Sequence, residues 1–309
     1  MADKQFPRDT HLTSIAVAYK NPDFTYIADA ALPRVNVGKK SFGYTEYPVS
    51  EMYDIPDTRV GEYSRVPLTR VSGKRVTSEC EGYGQGIPLS NDDISEAPTG
   101  CDPKERATER ATNIVLTDRE RRVANMLFNA TNYPDAVKVD VAAGSKWDTD
   151  TVNVIKVIRT GLAKAYIRPN VLVFGADAWN AIAMQQTVVS ACLGNDGKYG
   201  VATQERFAEL CGVSEVLVGQ SVINSVKPGK APVLAPMWGK HCLGLYRDRS
   251  VDTTGGVTFG FTAQWGTRVA GSAPIDIGTN GGVEVRCTEN VKELIIAPYA
   301  CYFWQNVIA

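Results

Sequence analysis

Residues 41–129 limit the possible folds more than any other part of the chain, because they join a long polar arm directly to a long charged helix. Between residues 43 and 98 apolar and polar positions alternate in short pieces (Tyr44 and Glu46; Val66, Leu68 and Val71), and no continuous apolar run appears. The pattern predicts a two-stranded excursion with solvated faces. Its charges are of both signs, with Glu46, Asp57 and Glu62 interleaved with Arg59, Arg65, Arg70, Lys74 and Arg75. These side chains are the candidate contacts of the arm with another surface of mixed charge. A hairpin without a hydrophobic face of its own is marginal in water and needs a third strand or a packed partner. Folded back near residues 68–73, the arm would extend up to about 80 Å at ~3.3 Å per residue. A compact body of this chain length has a radius of gyration of only about 19 Å. The mismatch favours a limb that lies on a neighbouring molecule, and the alternative is a long disordered loop.

Asp102 and Pro103 open the helix that follows, an acceptor side chain at the N-cap and proline at the first helical position. From Pro103 to Asn129 no glycine or further proline interrupts the chain, which corresponds to about 40 Å of rod. Apolar positions are sparse at first (Ala107, Ala111, Ile114, Val115) and dense at the end (Val123, Met126, Leu127). One end is therefore expected in a core and the other flanked by charge. Among the neighbouring charge pairs, Asp118 with Arg122 is favourable, by about a few tenths of a kcal/mol. No apolar heptad is sustained, so a coiled coil is not expected.

A chain of 309 residues with 44% hydrophobic content buries a substantial core. Its net charge of −1 argues against a general nucleic-acid binder. The opening MADKQFPRDT is polar and has no secretory apolar region. The longest near-continuous apolar run, residues 294–304, is too short to span a bilayer, so the expectation is a soluble cytosolic product with no membrane partner. The seven cysteines are scattered and form no Cys-x-x-Cys pair, which fits reduced, packed thiols and not a disulfide framework or a zinc site. No cofactor is implied.

Residues 1–42 read as an arm laid over a body, with Pro33 ending a short piece and Val35 and Val37 alternating into a strand. Beyond the long helix, Val137, Val139 and Val141 alternate as a strand, and Thr149 or Asp150 is positioned to cap a helix with the stripe Val154, Ile155, Ile158, Leu162 and Ala165. An apolar strand over 171–174, a helix over 177–192, a short helix capped by Thr203 and stopped at Gly212, and a strand over 213–218 complete a compact α/β lobe. From Pro236 onward strands dominate, over 242–246, 257–265, 283–288 and 293–304, with a hairpin turn at Asn280 and Gly281. The last of them are expected beside the long helix and the Val137 strand.

Several stretches arrive in a telling order: IADAALPRVNVGKKS from Ile27, WDTD from Trp147, RPNVLVFG from Arg168, TQERFAELCGVSEVLVG from Thr203, MWG from Met237, and VTFG from Val257 followed by Trp265. Over nearly its whole length the sequence resembles the major capsid proteins of tailed bacteriophages, with the Hong Kong 97-like fold. The resemblance implies an α+β chain with an N-terminal arm (1–42), an extended β-hairpin loop (43–99), a peripheral domain (100–148 and 243–309) containing a spine helix (103–129), and an α/β axial domain (149–242). In that family the extended loop lies on an adjacent subunit and the axial lobes meet at the five-fold and six-fold positions. Gly194, Asn195, Asp196, Lys198 and Tyr199 would then sit near the capsomer centre.

The function implied is that of a structural subunit of an icosahedral shell, self-assembling into pentamers and hexamers that enclose genomic DNA, located in the virion capsid and assembled in the host bacterial cytoplasm. Implied partners are other copies of the chain, a portal protein, a cement or decoration protein, and packaged DNA through non-specific contact. Some members carry a long helical pro-segment as a built-in scaffold; this chain has no room for one, which implies a separate scaffolding protein. The lysine–asparagine cross-link of some members has no match here, so assembly is expected to be non-covalent. Deleting residues 55–85 is expected to leave a folded body that does not close shells.

Chemistry-bearing motifs are few. His11 and His241 are the histidines, and His241 beside Cys242 in a strand would point to opposite faces, which spoils a base and nucleophile pair. Gly82 opens GYGQG but is followed by Ile and Pro instead of a helix, against the dinucleotide context. Gly197-Lys198-Tyr199 lacks the spacing of a phosphate loop, and Asp92 and Asp93 read as solvated or capping. No catalytic or metal-binding residue is assigned. Two alternatives stand beside the capsid reading: an encapsulin-type compartment shell, which shares the fold and holds enzymes, and a cytosolic α/β enzyme using a cysteine such as Cys242.

Overall fold

The computed structural model describes residues 6–21, 25–46, 53, 55, 57–68, 73–194, 200–226, 229–250 and 257–309. Asp102 accepts the Lys104 backbone N–H at 2.8 Å and Pro103 takes the first helical position, so the long helix runs Pro103–Leu127. Its buried positions Ala107, Ala111, Val115, Arg119, Val123 and Leu127 follow one another at four-residue spacing along the full length. The expected contrast between a docked end and a charge-flanked end does not hold. In the first half small residues let neighbours approach: Ala107 and Ala111 share a core with Leu12 and Ala16 of a helix over Thr10–Ala18, and with Ala270, Val285 and Cys287. That N-terminal helix, capped by Asp9, has little amphipathic pattern of its own and packs through those two positions.

The described strands are β1 (Arg34–Asn36), β2 (Ser41–Glu46), β3 (Lys74–Glu79), β4 (Glu81–Ser90), β5 (Lys138–Asp140), β6 (Val171–Gly175), β7 (Glu215–Gly219), β8 (Val222–Asn224), β9 (Leu234–Pro236), β10 (Cys242–Leu245), β11 (Gly260–Gln264), β12 (Val269–Ile275), β13 (Gly282–Ile295) and β14 (Cys301–Gln305). β13 organises the first five-stranded sheet. β4 pairs with it from Gly282 opposite Ser90 to Val291 opposite Glu81, while β12 and then β11 follow it antiparallel and β1 adds in parallel to β11. The strands expected over 283–288 and 293–304 are thus one 14-residue strand ending at Ile295 and a separate β14, since pairing continues across Val291.

The second sheet has the order β5-β14-β10-β6-β7. β6 is buried at every position, as a parallel neighbour of β7 covered on both faces must be. Because β10 and β14 complete this sheet, the expected border between lobes at 242 and 243 falls inside it. Helices Val154–Leu162, Ala176–Met184, Gln186–Leu193 and Gln204–Cys211 complete this lobe. Asn153, and not Thr149 or Asp150, caps the first of them by accepting the Lys156 N–H at 3.0 Å. The helix expected over 177–192 breaks at Gln185, whose backbone is extended and whose side chain donates to the Val152 carbonyl at 2.8 Å. Thr203 and Gly212 cap the last helix at its two ends, Gly212 with φ of 72°. Gly161 lets the Trp304 ring lie against the helix: a Cβ there would stand 2.3 Å from Trp304 Cζ2. Among the described residues no helix is long and apolar enough to cross a membrane.

Candidate assembly interface

The root of the arm is a hairpin in which β2 pairs antiparallel with β3, from Ser41 opposite Glu79 to Glu46 opposite Lys74. One face of it is not solvated. Phe42 and Tyr44 are buried against Val37, Cys80, Phe261 and Ala263, so the arm has a small core at its base. Gly43 leaves room for the Arg75 guanidinium, whose Nε would stand 2.7 Å from a Cβ at that position. Beyond Cys80 the chain enters the large sheet as β4. The paired arm therefore ends at Glu79, short of the expected 99, because β4 finds its partner in β13 near Lys292, 211 residues beyond Glu81. Lys292 pairs with Glu81, and the Arg122 guanidinium lies 3.5 Å over the Tyr83 ring. Burial, together with the hydrogen bond it donates to Glu81 at 2.8 Å, pushes the Tyr83 phenol up to about 12.

Beneath this root the long helix holds the N-terminal segment through buried polar contacts. Glu120 accepts the backbone N–H groups of Ile27 at 3.0 Å and Ala28 at 2.9 Å and the Trp238 indole N–H at 2.8 Å. Burial raises its carboxyl above the ordinary value, and these three donors oppose that rise. Arg119 donates to Asp29 and, at 3.1 Å, to the Thr262 hydroxyl. Arg34 reaches Asp29 at 2.7 Å and Glu289 at 3.2 Å, and Arg268 meets Glu289 at 3.1 Å. Burial works to raise the Asp29 pKa, but Arg119 and Arg34 outweigh it and hold the carboxyl below its ordinary value. Asp29, Arg34 and Trp238 lie in stretches that carry the family resemblance, but nothing in the sequence pattern singles out Arg119, Glu120, Arg268 or Glu289. The available signal was position: Arg119 lies four residues from both Val115 and Val123, on the buried stripe.

The structure does not gather the candidate arm residues in one place. Glu46, Lys74 and Arg75 belong to the root, where Glu46 accepts the Tyr44 hydroxyl at 3.2 Å. Asp57, Arg59, Glu62 and Arg65 are exposed on the unpaired tip, where Asp57 accepts the Arg59 N–H at 3.0 Å. Arg70 lies outside the described residues. Charge alone passes over a stronger feature of the tip: Ile55 is 91% exposed, Tyr63 97% and Leu68 96%. Single exposed apolar residues are ordinary, but a series on one limb marks a contact surface. In the other candidate group, Gly194 ends helix Gln186–Leu193 with φ of 89°, and Asn195, Asp196, Lys198 and Tyr199 lie outside the described residues.

Cys242 and His241, the pair weighed for an enzyme, are both engaged in packing. Cys242 is fully buried, and burial pushes its thiol well above the ordinary value. The His241 ring packs edge-on against Phe128, its Nδ1 accepts the Asn306 N–H at 2.9 Å, and burial lowers its pKa. Among the described residues no group of three or more His, Cys, Asp or Glu side chains is placed to hold a metal ion.

No protein-family model matches the chain. It is 37% identical to the major capsid protein of Pseudomonas phage JBD67 over 310 aligned positions, which cover 100% of both chains. Among solved structures, a phage-related protein of Bordetella bronchiseptica RB50 superposes with a TM-score of 0.75 at 16% identity, over 98% of this chain and 99% of that one. The capsid structure of cyanophage P-SCSP1u superposes with a TM-score of 0.60 at 9% identity, over 94% and 91%. These structures share the fold, and the full-length identity carries the kinship. The chain belongs to the phage major capsid proteins with the Hong Kong 97-like fold, and it is a structural subunit of the virion capsid.

Proposed function

We propose that the subunits close an icosahedral shell of pentamers and hexamers around genomic DNA, each laying the tip of its arm on a neighbour. The observation that carries this reading is the near-complete exposure of Tyr63 and Leu68 beyond a hairpin whose root is firmly held. Covering such side chains contributes about 1.5–3 kcal/mol each, whereas an exposed ion pair contributes about 0–1 kcal/mol. The apolar tip thus supplies most of the docking strength, and the charges supply register and salt dependence. Obligate contacts of this kind bury more than about 2,000 Å² in total. The reading includes a separate scaffolding protein, a portal protein, a cement or decoration protein, non-specific contact with packaged DNA, and assembly in the host bacterial cytoplasm. It favours a phage shell over an encapsulin compartment because the full-length relative is a phage capsid protein.

The test is a deletion of the tip. Removing residues 55–85 would take away β3 and half of β4, and with them part of the large sheet, so that cut does not spare the body. Removing residues 55–68 and joining the ends with a short Gly-Ser link spares both strands. Folded subunits that fail to close shells, viewed by negative-stain electron microscopy, are expected. Closed shells of normal size would defeat the proposal.

A further inference from the structure

Two sequence motifs that the assembly interface does not use are brought together by the large sheet: the Asn280-Gly281 turn between β12 and β13, and Asp92 just beyond the end of β4. Asn280 Nδ2 donates to Asp92 Oδ1 at 2.8 Å, the Asn280 carbonyl accepts Asn91 Nδ2 at 2.7 Å, and the Gly281 carbonyl accepts the Asn91 N–H at 3.1 Å. These bonds tie the turn to the short helix Asn91–Ser95, which follows β4 and precedes the long helix. Asn280 is exposed, and of all the asparagines in the chain it alone is followed by glycine. Gly281 has no side chain to shield its nitrogen, and among the described residues its N–H has no hydrogen-bond partner. Its surroundings are open: apart from its chain neighbours, a Cβ there would meet nothing closer than 3.6 Å. An asparagine amide beside so unhindered a backbone nitrogen is thermolabile.

We propose that Asn280 is a modification site: in the folded subunit it deamidates spontaneously, and the product releases the turn from helix Asn91–Ser95. The Gly281 nitrogen gives its proton to solvent and attacks Asn280 Cγ. A bond from that nitrogen to Cγ forms, the Cγ–Nδ2 bond breaks, and Nδ2 departs as ammonia with a proton returned from solvent, leaving a cyclic succinimide. Water opens the ring at either carbonyl carbon. Aspartate results where the new bond to Cγ breaks, and isoaspartate where the original bond to the Asn280 carbonyl carbon breaks. The net exchange is one water taken up for one ammonia released, and nothing is oxidised or reduced. In both products Asp92 loses the Nδ2 donor. In the aspartate product it faces a second carboxylate, with Asp93 next to it in the chain, and like charges so placed repel. In the isoaspartate product the main chain runs through Cβ and Cγ and is one atom longer, which displaces the Gly281 carbonyl from the Asn91 N–H. The turn is thus tied to the helix in a newly made subunit and loosened in an aged one. Neither arm docking nor shell closure enters this chemistry.

The experiment ages full-length, unassembled subunits at neutral and at mildly alkaline pH, with fresh protein as the reference. Isoaspartate is measured by methyl transfer from S-adenosylmethionine with an isoaspartate methyltransferase, and mass spectrometry of the tryptic peptide 269–286 locates it. Isoaspartate at position 280 is expected to accumulate with age, several-fold faster at the higher pH because the attacking nitrogen must lose a proton. It should vanish in Asn280→Gln, whose longer side chain closes a ring far more slowly. The consequence is read as hydrogen exchange over residues 91–96 at short labelling times. Asn280→Asp should speed that exchange several-fold. Asn280→Asp combined with Asp92→Asn, which again sets a donor against an acceptor, should bring it back. Aged subunits with no more modification at 280 than fresh ones would overturn the proposal. So would exchange in Asn280→Asp that equals the wild type, or that Asp92→Asn leaves unrestored.

Discussion

Glu120 accepts the indole N–H of Trp238 at 2.8 Å, joining positions 118 residues apart in the chain. The same carboxylate holds the N–H groups of Ile27 and Ala28, so one side chain ties the long helix to the N-terminal segment and to the turn that leads into β10.

Replacing Glu120 by Ala strands three buried donors, each at a cost of about 1–3 kcal/mol, so a loss of at least about 3 kcal/mol is expected. Glu120→Gln keeps one oxygen for two of them but turns an amide donor toward the Ala28 N–H, with an expected loss of about 1–3 kcal/mol. Urea unfolding of the subunit, followed by tryptophan fluorescence, measures both. Equal stability of the two variants would contradict this account.

Asp29 and Glu120 predict opposite slopes of stability with pH. The Asp29 carboxyl is held below its ordinary value by Arg119 and Arg34, so its contribution is complete above that ordinary value and is lost as pH falls through the lower, folded value. The Glu120 carboxyl is raised above 4.5, so the stability tied to its protonated form is complete below that value and is lost as pH rises through the higher, folded one. Asp29→Asn should flatten the acid limb of a stability profile, and Glu120→Gln the limb above it.

Gly175 and Gly219 mark where Trp238 and its neighbour press on the second sheet. A Cβ at Gly175 would stand 1.9 Å from the Gly239 carbonyl oxygen, and one at Gly219 2.1 Å from Trp238 Cδ1. Each Gly→Ala change is expected to destabilise the subunit by about 1–3 kcal/mol or more through overpacking, as a lowered midpoint in thermal unfolding. The control Gly144→Ala, where a Cβ meets nothing within 4 Å, should leave the midpoint nearly unchanged.

The tip of the arm separates folding from assembly. Tyr63→Ser with Leu68→Ser should change subunit unfolding by no more than about 0.5 kcal/mol, since both side chains are exposed. The concentration at which light scattering detects shells should rise about ten-fold or more. Glu62→Gln with Arg65→Gln should shift it less and chiefly reduce its dependence on salt.

Sequence alone determined the elements whose signals are local. Asp102 and Pro103 announced the start of the long helix, Thr203 and Gly212 bounded a short one, and the apolar residues 171–174 announced a buried strand, because caps, proline and short apolar runs act on their immediate neighbours. The order of such pieces also carried the resemblance to phage capsid proteins. Tertiary structure decided what depends on a distant partner. Residues 81–90 look like a continuation of the arm until β13 claims them as a strand of the large sheet. Arg119 and Glu120 look like ordinary surface charges of a charged helix. They are buried because Asp29, Thr262, Ile27, Ala28 and Trp238, far away in sequence, supply the hydrogen bonds that repay their desolvation.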